Sequence, residues 1–258
     1  VAVLVDLVIE FNDIVVFLIG LIYVLIVLGT GDLVRRKLKK GSNFTRKIIH
    51  LFAGAAVWTV PYYPHPWVAT LLAFTFVLFL AVANSQRFGR FFAAMARPED
   101  LEHGSVRGPF WYAVSITLLT ALFTFTDYQR LYFVAAAAIQ IMMFGDGMSA
   151  PVGLKYGKNH MHTIFGSKRS TPGSSALFVF GFLGAMLAFW FFGAINYGVF
   201  VSGSQILWMP MIYLALIAAI VATLVELVSP KGTDNVTLPF ITCLVVFLIG
   251  MQMGLVVL

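Results

Sequence analysis

The run QIMMFGDGMSAPVGLKYGK, residues 140–158, ends an apolar stretch in a carboxylate, Asp146, held between Gly145 and Gly147 and followed by Gly153, Gly157 and Lys158. Glycine lets backbone N–H groups turn toward a ligand with no Cβ in the way, and grouped N–H donors suit phosphate oxygens. A carboxylate beside them fits Mg²⁺, which takes one or two carboxylates plus substrate phosphates rather than a full protein cage. A helix C-terminus closed by glycines explains the same run as well, and the run alone leaves both readings open.

The second stretch is GSKRSTPGSS, residues 166–175. Pro172 suits the first turn of a helix and Thr171 its N-cap, so Lys168 and Arg169 stand just before a helix start. The unpaired N–H groups and partial positive charge there, with two cations, make a phosphate cradle. A capped helix accounts for the Thr-Pro, but not for the density of Ser and Gly beside the cations.

In ELVSPKGTDNVTLP, residues 226–239, Glu226 lies inside the end of an apolar helix, and Asp234-Asn235 precede the next one. Asp and Asn are common caps. Glu226 needs a cation or metal as partner if it is buried. In RKIIH, Arg46 and His50 are four residues apart and share a helix face; basic anchors and an interfacial His explain that run by itself. His160 and His162 have no third ligand at defined spacing and read as loop residues.

The elements carrying these residues are apolar. The chain has 258 residues, 60% of them hydrophobic and 11% charged, and a mean hydropathy of +0.92, beyond what a soluble core requires. A span needs about 20 apolar residues, and the charges and turns divide the chain into spans at 11–33, 46–64, 66–84, 109–126, 129–145, 173–195, 205–228 and 237–257. No run of short alternating segments suggests a barrel. The expected class is all-α, a polytopic transmembrane bundle in a single membrane domain. The single cysteine, Cys243, excludes disulfides and thiolate clusters within the chain. The N-terminal stretch lacks the basic region and cleavage site of a signal peptide and reads as the start of the fold.

With these spans every Lys and Arg except Arg130 falls on one face, including the cluster at Arg35, Arg36, Lys37, Lys39, Lys40, Arg46 and Lys47. The positive-inside rule makes that face cytoplasmic, with both termini outside. The net charge of +6 is then topology and anionic headgroups; no soluble module carries a basic stripe for nucleic acid. Residues 87–104, RFGRFFAAMARPEDLEHG, read as an interfacial amphipathic helix. The four stretches thus lie in successive connections of one membrane face, suited to a soluble phosphate donor meeting a lipid acceptor.

In RKIIH, GDGMSAPVGLKYGK, the basic Ser/Gly stretch and ELVSPKGTDN with Pro239, over about residues 46–258, the sequence resembles the membrane family of dolichol kinase, phytol kinase and CTP-dependent diacylglycerol kinase, distantly related to phosphatidate cytidylyltransferase. The resemblance implies Mg²⁺-dependent transfer of the γ-phosphate of CTP, or another nucleoside triphosphate, to a lipid hydroxyl. It implies Mg²⁺ on Asp146 and Glu226, and Lys168 and Arg169 on the triphosphate. Gly145, Gly147, Gly153 and Gly157 would shape the nucleotide loop, with Lys158 at its end. Ser170, Gly173 and Ser174 would supply donors at the helix start. Asp234 and Asn235 would complete the metal site or orient the acceptor, Asp234 as general base, and Arg46 and His50 would make further phosphate or acceptor contacts.

Many members carry a glutamate where this chain has Pro172, before Gly173-Ser174. Phytol-kinase-like members lack it too, which points to an isoprenoid alcohol. The longer acidic run of the cytidylyltransferases is absent from residues 226–239. Diacylglycerol phosphorylation and CDP-diacylglycerol synthesis remain the enzymatic alternatives. A small transporter is the non-enzymatic one, although transporters place their sites near the midplane. The small residues of GFLGAM, 181–186, would pack helices within one chain or across a homodimer.

Overall fold

The computed structural model describes residues 7–37, 42–83, 107–165, 167–230 and 232–257. The expected interfacial helix at 87–104, and Lys39, Lys40 and Lys231, lie outside the described residues. Two compact units divide near residue 121.

The first unit contains α1 (Phe11–Lys37), α2 (Ser42–Ala53) running into a 3₁₀ stretch (Gly54–Tyr62), α3 (Trp67–Ala83) and most of α4 (Arg107–Thr124). The expected span at 46–64 is thus a short α-helix followed by a tighter one that contains Pro61. Proline supplies no N–H to an α-helical ladder. Val27, Ile49, Leu80 and Ala113 form a core cluster. Gly31 lets α2 approach, since a Cβ there would lie 2.5 Å from Ile49 Cδ1. At the start of α1, Asp13 is fully buried and accepts the N–H groups of Glu10 and His65, each at 2.9 Å, with the His65 ring 2.8 Å away.

The second unit is built around one helix, Gln129–Tyr156, of 28 residues. Its parts are a 3₁₀ turn (Gln129–Leu131), α5 (Tyr132–Gln140), a π segment (Ile141–Asp146) and α6 (Gly147–Tyr156). From Tyr132 to Met143 no residue is more than 1% exposed, so this helix is enclosed by protein. Around it stand α7 (Thr171–Ala188), which ends in a π segment (Phe189–Ile195), α8 (Trp208–Val228) and α9 (Asp234–Gln252).

Small residues make that enclosure possible. A Cβ on Gly184 would lie 2.9 Å from the Gln140 carbonyl oxygen, and one on Gly145 3.0 Å from that of Leu177. The GFLGAM face is therefore taken up within the chain. Ala215, Ala218, Ala219 and Ala222 form the buried stripe of α8, the small-residue packing that apolar helices use in lipid. Phe133, Phe189 and Phe200 fill the far end, with ring centroids 5.3–5.9 Å apart.

Among the described residues, five helices are long and apolar enough to cross a membrane: Phe11–Lys37, Gln129–Tyr156, Thr171–Ile195, Trp208–Val228 and Asp234–Gln252. Trp67–Val82 and Gly108–Thr124 are apolar but shorter. The protein is an all-α helical membrane protein. Two antiparallel hairpins interrupt it: β1 (Met161–Ile164) with β2 (Ser167–Ser170), and β3 (Val201–Ser202) with β4 (Gln205–Ile206). Hydropathy gave no sign of either.

Candidate functional site

Asp146 does not end its helix, contrary to the expectation of a glycine turn. It closes the π segment and the chain continues helically to Tyr156. Widened turns of this kind are frequent at functional positions. Asp146 is 7% exposed, and the Ser149 hydroxyl lies 3.0 Å from its carbonyl oxygen and 3.4 Å from Oδ1. Pro151, inside α6, supplies no N–H to the carbonyl of Gly147, one turn back. Ser149 and Pro151 thus shape the helix beside the carboxylate.

Gly147 and Gly153 are helical and Gly157 caps the end of α6, and Gly153 and Gly157 serve packing instead of shaping a loop. A Cβ on Gly153 would lie 2.7 Å from the Ser170 hydroxyl, and one on Gly157 would overlap the same side chain. A Cβ on Gly173 would meet the Ser149 carbonyl oxygen at 3.0 Å. Together they let α6 lie against the start of α7. The cap of α7 is Ser170 and not Thr171: its hydroxyl accepts the Gly173 N–H at 3.3 Å, because Ser170 keeps the extended backbone of β2 that an N-cap requires. Ser174 Oγ, one residue further on, is buried without a hydrogen bond.

β2 carries the two cations, and alternation along the strand separates them. Lys168 is exposed. Arg169 instead places Nη1 2.8 Å from Glu226 Oε1 and Nη2 3.6 Å from Asp234 Oδ2, joining β2 to the end of α8 and the start of α9. Glu226 is 3% exposed and Asp234 8%. Asp234 is the first residue of α9 and not a residue ahead of it, and its Oδ1 accepts the Asn235 N–H at 3.1 Å. The Ser167 hydroxyl donates to the Ser229 carbonyl at 3.2 Å, which fixes the strand beside the turn. Gly232, at φ +87, makes that turn in a conformation other residues resist.

One guanidinium thus faces two carboxylates. The donor set fits a hard divalent cation shared with phosphate oxygens. Among the described residues no group of three or more His, Cys, Asp and Glu is placed to hold a metal ion by itself. Asp146, Glu226 and Asp234 therefore do not form a closed protein cage. Lys158 is exposed just past α6.

Arg46 and His50 lie on α2, in the first unit. The His50 ring packs on Tyr112 with centroids 4.2 Å apart, and Tyr112 donates its hydroxyl to the His50 carbonyl at 2.9 Å. Sequence reading passed over Ser149, Ser167 and the Asp13–His65 pair. Ser149 was within reach of a helical reading, three residues after Asp146; the other two depend on contacts across the fold.

No protein-family model matches the chain, and no solved structure matches it. Similar curated proteins do exist. The chain is 29% identical over 240 residues to the probable chloroplastic phytol kinase 2 of Glycine max, covering 89% of this chain and 75% of that protein. It is 26% identical over 249 residues to the probable chloroplastic phytol kinase of Zea mays, covering 89% and 76%. With the phytol kinase of Synechocystis it shares 27% over 216 residues, covering 84% and 83%. The matches run through both units, and the curated proteins that the chain resembles over most of its length are named phytol kinases.

Proposed function

We propose that this protein is a lipid kinase that transfers the γ-phosphate of CTP to the hydroxyl of an isoprenoid alcohol such as phytol, geranylgeraniol or dolichol, with Mg²⁺ as cofactor. The observation carrying the reading is the meeting of Arg169 with Glu226 and Asp234 at the start of α7, in a chain whose relatives are named phytol kinases.

Phosphoryl transfer asks for positioning and charge neutralisation more than covalent chemistry. Glu226 and Asp234, with Asp146, would hold Mg²⁺, which neutralises charge on the transferring phosphate when bound. Lys168 and the Ser170–Ser174 turn would take phosphate oxygens through an ammonium, hydroxyls and the N–H groups at the start of α7. Arg169 would hold the carboxylates apart and in register, and share its remaining donors with the nucleotide. Asp234 would accept the proton of the acceptor hydroxyl as it attacks. Lys158, Asn235, Arg46 and His50 remain proposed contacts to the nucleotide or acceptor. The acceptor chain would lie among the apolar helices, and the basic connections would face the cytoplasm with both termini outside.

The test supplies purified protein and Mg²⁺ with γ-labelled CTP, ATP, UTP or GTP against phytol, geranylgeraniol, dolichol and diacylglycerol. Label is expected in an isoprenoid phosphate, most strongly from CTP. Label only in phosphatidate points to the diacylglycerol kinase alternative. CDP-lipid formed from phosphatidate and α-labelled CTP, with no γ-label in any lipid, overturns the kinase reading.

A further inference from the structure

The hairpin ahead of α7 carries a feature that phosphate binding does not explain. Ile164 pairs with Ser167, and Phe165 sits at the turn between the strands with φ +46. That left-handed region is taken readily by glycine, and by Asn or Asp, but it sets an ordinary Cβ against the backbone. A turn facing only water has every reason to carry one of those residues. Here it carries a phenylalanine, 72% exposed.

Phe165 has company. Leu154 and Tyr156, at the end of α6, are 68% and 60% exposed, and Met161, at the start of β1, is 51% exposed. Lys155, Lys158 and Lys168 are exposed among them, the Lys155 ammonium 4.9 Å from the Tyr156 ring centroid. The sequence holds no acid between Asp146 and Glu226, and Arg169 is engaged by Glu226. This stretch of the surface is therefore apolar and cationic, with no carboxylate of its own.

Its place in the fold says what covers it. β2 ends at Ser170 and α7, long and apolar enough to cross the membrane, begins at Thr171. The hairpin thus starts at a membrane boundary, and strands of four residues keep its turn within ~13 Å of it, near enough to lie against the headgroup layer. Aromatic and aliphatic side chains flanked by lysines suit that layer, where rings sit at headgroup depth and ammonium groups reach lipid phosphates.

We propose that the β1–β2 hairpin and the end of α6 form a membrane-surface anchor, Phe165 entering the interfacial layer and Lys155, beside Tyr156, binding anionic headgroup phosphates. The anchor holds β2, and with it Arg169 and Ser170, at the depth where a lipid headgroup lies. The proposal stands whether or not the transferred group and donor are those proposed above.

A spin label on Phe165→Cys, in a Cys243→Ala background and in lipid nanodiscs, reads the anchor directly. The expected result is relaxation enhancement by dissolved oxygen several-fold greater than by a water-soluble nickel chelate. That ratio is expected to rise when phosphatidylglycerol replaces part of the phosphatidylcholine. Greater access to the chelate in both lipids overturns the proposal, as does an immobilised label shielded from both reagents, the sign of a protein contact. Shielding that arises only on adding CTP and Mg²⁺ assigns the side chain to the nucleotide and overturns it too. A ratio indifferent to anionic lipid overturns the role given to Lys155.

Discussion

Arg169 Nη1 and Glu226 Oε1 stand 2.8 Å apart, joining a strand to the end of a helix 57 positions further along the chain. The partners are largely withdrawn from solvent, with side chains 16% and 4% exposed. Removing one member of such a pair strands the other in a poorly solvated place. Arg169→Ala is expected to lower stability by about 3 kcal/mol, measured by unfolding in detergent. Adding Glu226→Gln is expected to recover part of the loss. A double variant that loses the full sum of the two single losses contradicts the pairing.

The Gly153–Ser170 approach predicts a different coupling. A Cβ at 153 would lie 2.7 Å from the Ser170 hydroxyl, so Gly153→Ala is expected to cost about 1–3 kcal/mol by overpacking. Ser170→Ala removes that oxygen, and with it the cap of α7, at about 1 kcal/mol. The double variant is expected to be more stable than additivity allows. Thermal unfolding of the four proteins checks this, and strict additivity would mean that the helices do not meet there.

Ser149 orients Asp146 through its hydroxyl. Ser149→Ala is expected to reduce kcat by roughly 5–10-fold, the kinetic equivalent of a hydrogen bond of about 1 kcal/mol, with the unfolding transition little changed. Ser149→Thr keeps the hydroxyl and is expected to retain more activity than the alanine variant. Equal rates in all three proteins would remove Ser149 from the site.

Metal removal is a second kinetic test. With Asp146, Glu226 and Asp234 as proposed ligands, chelation is expected to abolish phosphate transfer, and Mg²⁺ or Mn²⁺ to restore it. Glu226→Gln is expected to raise the metal concentration needed for half-maximal rate. Full activity in excess chelator would contradict any role for the carboxylates in holding a cation.

Apolar runs about 20 residues long were legible because crossing hydrocarbon imposes length and composition together. Alpha class and five of the expected spans followed from that alone. The reading of Asp146 as the end of a helix failed for a physical reason. Gly145, Gly147, Gly153 and Gly157 look like turn residues in isolation, yet only Gly157 lies past the end of a helix; Gly145 and Gly153 let this helix press on Leu177, Ser170 and Gly173, and tertiary packing outweighs their poor helix propensity. Arg169 was legible as a functional cation, but its carboxylate partners lie far along the chain and no spacing rule pairs them. The hairpin strands, four residues each, are too short for periodicity to register.

The most direct measurement compares the wild-type protein with Asp146→Asn, both verified as folded, in the transfer of γ-label from CTP to phytol. The substitution keeps the shape of a side chain that is 7% exposed and removes its charge. The expected result is labelled phytyl phosphate from the wild type and a loss of at least about 100-fold in the variant, the scale on which a charge-stabilising group acts in a shielded site. Equal labelling by the two proteins, or no labelled isoprenoid phosphate from the wild type with any of the four nucleotides and the three isoprenoid alcohols, would contradict it.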